Sequence, residues 1–197
     1  MENHENLIHV SIHAGVGAGI ILDHHLYTGF AGTAGEVGHM IVQPGGRSCP
    51  CGNHGCLEQY ISEPAVLSRY QELSGRTTVS IDDLVWSYNQ KEADALAVVD
   101  EFTTYLACGI NNLWNLFSPE CIILNSQLTA YLPQLLPEIL QKLSARFRAT
   151  CQLKLSTLQD TGVLLGAARV CISKYLGIEK LYFSGFQHDT LFDSLLA

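Results

Sequence analysis

His39, Cys49, Cys51 and Cys56 fall within eighteen residues, and the three cysteines are spaced C-x-C-x4-C in a stretch rich in glycine and asparagine. Three thiolates and one imidazole nitrogen make up the donor set of a closed tetrahedral zinc site. Thiolates this close in sequence surround one ion only where the chain reverses tightly, and Gly45, Gly46, Gly52 and Gly55 permit such reversals. A closed site leaves no position for a reactive water, so the expected Zn2+ is structural. The competing reading is a set of small core cysteines beside a histidine, but core cysteines rarely gather in a polar glycine loop. Redox catalysis is the weaker alternative, because no C-x-x-C stands at a helix start.

These ligands sit in a chain of 197 residues with a net charge of −8, 47% hydrophobic and 15% charged. That length and apolar content exclude disorder and provide a sizeable core without staples, so a metal site needs a purpose beyond holding the chain together. Acidic residues outnumber basic ones 19 to 11, and the densest basic group is Lys142, Arg146, Arg148 and Lys154. Phosphate neutralisation needs tighter clustering, which argues against direct nucleic-acid binding by this stretch. No apolar run approaches the roughly 18 to 20 residues of a membrane span, and residues 163–172 are too few and include Arg169. Residues 1–6 carry neither the basic nor the apolar part of a secretory signal. A cytoplasmic, reducing location is therefore expected, where seven cysteines are metal ligands or core residues rather than a disulfide framework.

Residues 7–12 and 19–22, the latter continuing to Tyr27, read as a hairpin joined by the glycine turn Gly15-Val-Gly-Ala-Gly19. That turn is not a dinucleotide fingerprint, since no helix follows it. Residues 28–53 form a glycine-rich loop around a strand at 40–42, and irregular backbone of that length usually carries function. Helices are predicted from Ser62 to Gly75, after the Ser80 and Asp83 capping pair, and over 92–117. In the last of these Leu96, Val99, Phe102, Leu106, Ile110, Leu113 and Phe117 recur every three or four residues. Residues 121–124 read as a buried strand, 132–147 as a helix, 153–158 as a strand and 162–176 as a helix closed by Gly177. This order predicts an α/β fold with a mixed sheet flanked by helices. The aromatics of residues 178–197 (Tyr182, Phe183, Phe186 and Phe192) are expected to pack on something outside this chain.

The run Gly35-Glu-Val-Gly-His39, followed by Cys49-Pro-Cys51-Gly-Asn-His-Gly-Cys56-Leu-Glu58, resembles the signature of the ROK family of bacterial sugar kinases and sugar-responsive transcriptional repressors. The likeness extends from the glycine hairpin to the helix after Gly162. It implies a two-lobed, actin-like ATPase (ribonuclease H-like) fold, of which residues 1–177 are the C-terminal lobe with a zinc loop over 39–56. By the same resemblance the chain is part of a longer protein, and 178–197 pack on a missing N-terminal lobe or a partner subunit. The resemblance also implies that Glu36, His39 and Glu58 line a sugar pocket. Carboxylates accept hydrogen bonds from vicinal hydroxyls, and His39 could bind zinc through one ring nitrogen while facing the sugar with the other. Read without the family, Glu36 and Glu58 are equally solvated loop acids. A glycosidase pair is a poorer use of them, since nothing here would keep one acid protonated.

ROK kinases carry a Gly-Thr-Gly phosphate turn after the first strand of this lobe, where this chain has His13, Ala14 and Gly15. They also place a glycine cluster where this chain has Asn125-Ser126-Gln127. Side chains at both places obstruct close approach to a nucleotide. Ala14, Gly15, Gly17, Asn125 and Ser126 are therefore read as a degenerate nucleotide site. The catalytic Asn-Asp pair of the kinases is absent from the chain, no residue is assigned as catalytic, and an enzyme is not expected. These departures, with Asn115-Leu-Phe-Ser-Pro119 and Ile123-Leu-Asn-Ser126, are similar to the repressor branch. The expected role is the effector-sensing and self-association lobe of a repressor of carbohydrate metabolism. Its effector would be a hexose, pentose or N-acetylhexosamine. The lobe would form a homodimer or higher homo-oligomer, touch DNA only through a missing N-terminal domain, and contact no membrane. An ATP-dependent sugar kinase lobe is the alternative, and a zinc-stabilised interaction module that binds no sugar is a third reading.

Overall fold

The computed structural model describes residues 4–158 and 161–177. Strand β1 (Leu7–Ile12) alternates with period two: Ile8, Val10 and Ile12 are buried, while Leu7, His9 and Ser11 are half-exposed. It pairs antiparallel with β2 (Val16–Leu22), which pairs antiparallel with β3 (His25–Leu26). On its other side β1 runs parallel to β4 (Cys121–Ser126), and β4 runs parallel to β5 (Gln152–Leu155). The result is the expected mixed sheet, in the order β3-β2-β1-β4-β5. Parallel neighbours need long crossovers. The first is built from α1 (Glu58–Ile61), α2 (Glu63–Ser74), α3 (Ile81–Asn89) and α4 (Ala93–Phe117), the second from α5 (Gln127–Tyr131), α6 (Leu135–Lys142) and α7 (Ala145–Thr150).

The long amphipathic helix is α4. It buries Ala95, Val98, Val99, Phe102, Leu106, Ile110 and Leu113, which share one core with Ile8, Val10, Ile12, Ile122 and Leu124. It stops at Ser118, whose φ of 45° turns the chain left-handed and whose N–H returns to the Trp114 carbonyl. Helix α3 opens on the expected capping box, with the Ser80 hydroxyl accepting from the Asp83 N–H and the Asp83 carboxylate accepting from the Ser80 N–H. Ser80→Ala should cost about 1 kcal/mol of unfolding free energy. A urea titration of the variant checks this, and an unmoved midpoint would show that α3 is held by packing alone.

Four expectations are corrected. Strand β2 begins at Val16 rather than Gly19, so Gly17 and Gly19 lie inside it and the turn is His13-Ala14-Gly15, closed by the His13 N–H on the Gly15 carbonyl (2.9 Å). Residues 40–42 form no strand; Ile41 makes only an isolated bridge to Cys56. The single helix over 132–147 is divided, because Leu143 is extended (ψ 154°) and Ser144 starts α7 afresh by accepting the Phe147 N–H at 3.1 Å. The strand over 153–158 is shorter, its end marked by the Ser156 N–H turning to the Leu124 carbonyl at 2.7 Å.

All of these elements belong to one compact unit, Met1–Gln159, and a second spans Asp160–Ala197. The described part of the second is α8 (Thr161–Leu176), followed by Gly177 at φ 64°. The aromatic tail expected to pack elsewhere, 178–197, lies outside the described residues. Among the described residues no helix is long and apolar enough to cross a membrane.

Candidate metal centre

Two glycines lay the first ligand against the sheet. Gly35, at φ 91°, accepts the Ala18 N–H at 2.8 Å, and a Cβ there would stand 2.0 Å from the Ala18 carbonyl oxygen. A Cβ at Gly38 would lie 2.4 Å from the Val16 carbonyl oxygen. Only bare backbone comes this close to β2, and a 3-10 turn over Val37–His39 follows directly, ending on the histidine.

The remaining ligands come from a loop folded back on itself. Val42 and Gln43 donate to the Gly55 carbonyl (2.9 and 3.2 Å), Leu57 donates to Met40, and Gly55 donates to the Arg47 carbonyl at 2.7 Å. A tighter reversal lies within it, where Cys49 N–H meets the Asn53 carbonyl and Gly52 N–H meets the Cys49 carbonyl. These bonds bring Cys49, Cys51 and Cys56 together with His39, and the four ligand atoms all lie within 4.8 Å of one another.

The spacing suits one tetrahedral ion. Zinc bonds of about 2.3 Å to sulfur and about 2.0 Å to nitrogen require edges of about 3.8 Å between sulfurs and about 3.5 Å between sulfur and nitrogen. Cys51 Sγ and Cys56 Sγ are 3.7 Å apart, and Cys49 Sγ is 3.6 Å from His39 Nδ1. Burial pushes the Cys56 thiol up to about 12, with the neighbouring cysteines adding to the shift. The Asn53 N–H holds the Cys51 thiol below its ordinary value. A divalent ion removes the penalty on the buried thiolate by supplying the compensating charge, so the donor set fits zinc chemically as well as geometrically.

The other ring nitrogen of His39, Nε2, lies 3.9 Å from Glu36 Oε2. Glu36 is well exposed at 71% of its side chain, and His39 is partly so. Glu58, at the start of α1, is placed differently: its Oε2 accepts the Val16 N–H at 3.0 Å, pinning the hairpin turn, and a Cβ at Gly15 would meet that oxygen at 3.1 Å. The geometry thus joins Glu36 to His39 and ties Glu58 to the β1–β2 turn.

At the turn read as a degenerate nucleotide site, the His13 ring is engaged by Glu63 and Asn125. His13 Nδ1 lies 3.3 Å from Glu63 Oε1, and the Asn125 side-chain amide lies 3.4 Å from His13 Nε2. This suits a ring protonated on Nδ1, donating to the carboxylate and accepting from the amide. Ala14 and Gly15 form the turn beneath it, Gly17 belongs to β2, and Asn125 and Ser126 are buried at the end of β4.

Sequence reasoning missed Glu63, Arg47, Gln59 and Glu101. Arg47 donates to the Gln59 carbonyl and to Glu101 of α4, and the Gln59 amide reaches Cys49 Sγ at 3.6 Å. A cation two residues before the first cysteine was the available signal; its acidic partner, 54 residues away, had none.

Comparison with known proteins identifies similar sequences and folds. The sequence model of the ROK family matches residues 1–174. The chain is 34% identical over 184 residues to the xylose repressor of Bacillus spizizenii, covering 91% of this chain and 47% of that protein. It is 34% identical over 143 residues to the DNA-binding transcriptional dual regulator NagC of Escherichia coli, covering 68% of this chain and 35% of that protein. The chain thus spans about half, or less, of the length of these curated relatives. Among solved structures, a ROK family transcriptional regulator described as a homolog of the E. coli MLC protein matches with a TM-score of 0.70 at 31% identity, over 88% of this chain and 47% of that one. A ROK hexokinase from Thermus thermophilus matches with a TM-score of 0.73 at 24% identity, over 88% and 60%. The latter likeness is one of fold, and the neighbours share the actin-like ATPase architecture.

Proposed function

This chain belongs to the ROK family, and on that premise we propose that it is the sugar-sensing and self-association lobe of a ROK-type transcriptional repressor, with a structural zinc at His39, Cys49, Cys51 and Cys56. The observation that carries this reading is the His39 ring, whose Nδ1 stands among the sulfurs while Nε2 faces an exposed carboxylate. Zinc would supply a fixed charge that sets the ring's orientation and tautomer. Glu36 accepts hydrogen bonds from sugar hydroxyls, His39 offers a donor or acceptor beside it, and Glu58 fixes the hairpin turn while presenting its remaining lone pairs. Relatives named for xylose and N-acetylglucosamine support a pentose or N-acetylhexosamine as effector, with a hexose as the third candidate.

The sugar acts by binding one arrangement of lobes and subunits more tightly than another. DNA contact belongs to a separate N-terminal domain of the intact cytoplasmic protein, and copies associate as a homodimer or larger assembly. Residues 1–177 are assigned to this lobe. A sugar kinase lobe is the second reading, favoured by the fold likeness to the hexokinase. Against it stands the His13 ring, engaged on both nitrogens where the kinases carry glycine.

Calorimetry of the intact parent protein against xylose, glucose and N-acetylglucosamine, followed by operator binding with and without the sugar that binds, tests the reading. Binding of one sugar with a change in operator affinity is expected, and Glu36→Ala should weaken that sugar by about tenfold or more, the worth of a hydrogen bond to a charged group. A sugar that binds without altering operator affinity removes the coupling. Transfer of phosphate from ATP to the sugar decides for the kinase, and no binding by any of the three decides for the interaction module.

A further inference from the structure

Arg47 lies two residues before Cys49, and its side chain leaves the metal loop for the helical layer. The guanidinium donates through Nη1 to the Gln59 carbonyl at 2.8 Å and through Nη2 to Glu101 Oε1 at 2.5 Å, and stands 4.6 Å over the Tyr60 ring. Its backbone N–H donates to the Tyr60 hydroxyl at 2.9 Å, and Tyr60 stacks on Tyr105 of α4 with centroids 4.0 Å apart. Glu101 is itself shared: its second oxygen accepts from Arg69 Nε of α2 at 3.2 Å, and its side chain is only 22% exposed. Gln59 completes the path, since its carbonyl is held by Arg47 while its side-chain amide donates to Cys49 Sγ at 3.6 Å.

Two effects converge on one ligand. Three thiolates around a divalent ion leave a net negative centre, and an N–H donor on one sulfur disperses part of that charge and so tunes the metal–sulfur bond. The anchors on α4 also hold the loop in shape, so the sulfurs need not be gathered when the metal arrives. We propose that Glu101, Arg47 and Gln59 form a positioning relay that sets how tightly the chain retains its metal, with Gln59 acting directly on the Cys49 thiolate. The relay rests on the metal reading given above. It requires the planar fork of an arginine, because one ammonium on a flexible stem does not span the Gln59 carbonyl and Glu101 together.

The test uses the 197-residue chain as wild type, Arg47→Lys and Gln59→Leu. Zinc release to a chromophoric chelator is timed, and the thiolate-to-metal charge-transfer band of the cobalt-loaded proteins is recorded beside far-ultraviolet circular dichroism. Both variants should release zinc about 10 to 100 times faster than wild type with unchanged dichroism, and Gln59→Leu should also shift the charge-transfer band, which general loosening of the fold does not do. Should Arg47→Lys fail to fold, Gln59→Leu alone decides. A wild type holding one zinc, with Gln59→Leu releasing it at the wild-type rate and showing an unshifted band, overturns the relay while leaving the metal reading intact. A wild type that takes up no zinc overturns both.

Discussion

Cys56→Ser should purify with almost no zinc where the wild type carries one ion per chain, and should melt roughly 8–16 °C lower. The estimate follows from mass action: free metal at a thousandfold excess over Kd stabilises the native state by about 4 kcal/mol. A domain of this size shifts by about 2–4 °C for each kcal/mol. The effect is large because Cys56 is fully buried within reach of the other three donors, and a serine hydroxyl at that place is a far weaker zinc ligand than a thiolate. Unlike a small zinc finger, the unit around it has a hydrophobic core of its own, so dichroism should persist while the 39–58 loop opens and His39 loses its place. Differential scanning calorimetry with elemental analysis measures both quantities. Substoichiometric metal in freshly purified wild type, or full metal in the variant, would show that these four residues are not the site.

Gly55→Ala should be the most damaging single-methyl change in the loop. Gly55 sits at φ 82°, where a side chain costs about 1–2 kcal/mol by itself. The added Cβ would also stand 1.7 Å from the Gln43 carbonyl oxygen. Retreat is blocked, because the Gly55 carbonyl holds two backbone N–H groups and its own N–H is bonded to Arg47. The combined penalty should be about 3 kcal/mol or more. Gly52, at φ 96° with open space around its missing side chain, is the control: Gly52→Ala should cost only the conformational part. Denaturant titration of the two variants separates the terms, and equal losses would show that the clash is relieved by movement of Gln43.

What could be read from sequence was whatever is written in short-range periodicity or donor chemistry. The stripe from Leu96 to Phe117 announced α4, whose observed start at Ala93 differs by one residue, and the four metal ligands were recognisable from type and spacing. The strand expected at 40–42 had the right residues but no neighbour to pair with beyond the one bridge from Ile41 to Cys56. In 132–147 the apolar spacing continued across a break that only Ser144, a capping residue inside the pattern, gave away. The bond from Glu58 to Val16 and the clamp from Arg47 to Glu101 join residues 42 and 54 apart, and nothing local encodes such pairs. His13 was legible as an intruder in a glycine turn, but its engagement by Glu63 and Asn125 required three elements to be brought to one point.

The shortness of the sheet's margins bears on whether a second copy of this chain could add to the sheet edge to edge. An unpaired strand edge is a template on which a second chain can add its own strand, and natural sheets suppress this by keeping outer strands brief or placing charge on them. Here the outermost strands in the described sheet are His25–Leu26, only two residues long, and Gln152–Leu155, four residues carrying Lys154. Strands this short limit how many ladder bonds a partner strand could form on either margin. Side chains such as Phe30, 92% exposed beside the shorter margin, are the better route to assembly. A contact made through such side chains would be reversible and sensitive to single substitutions, in contrast to the progressive stacking that open edges allow.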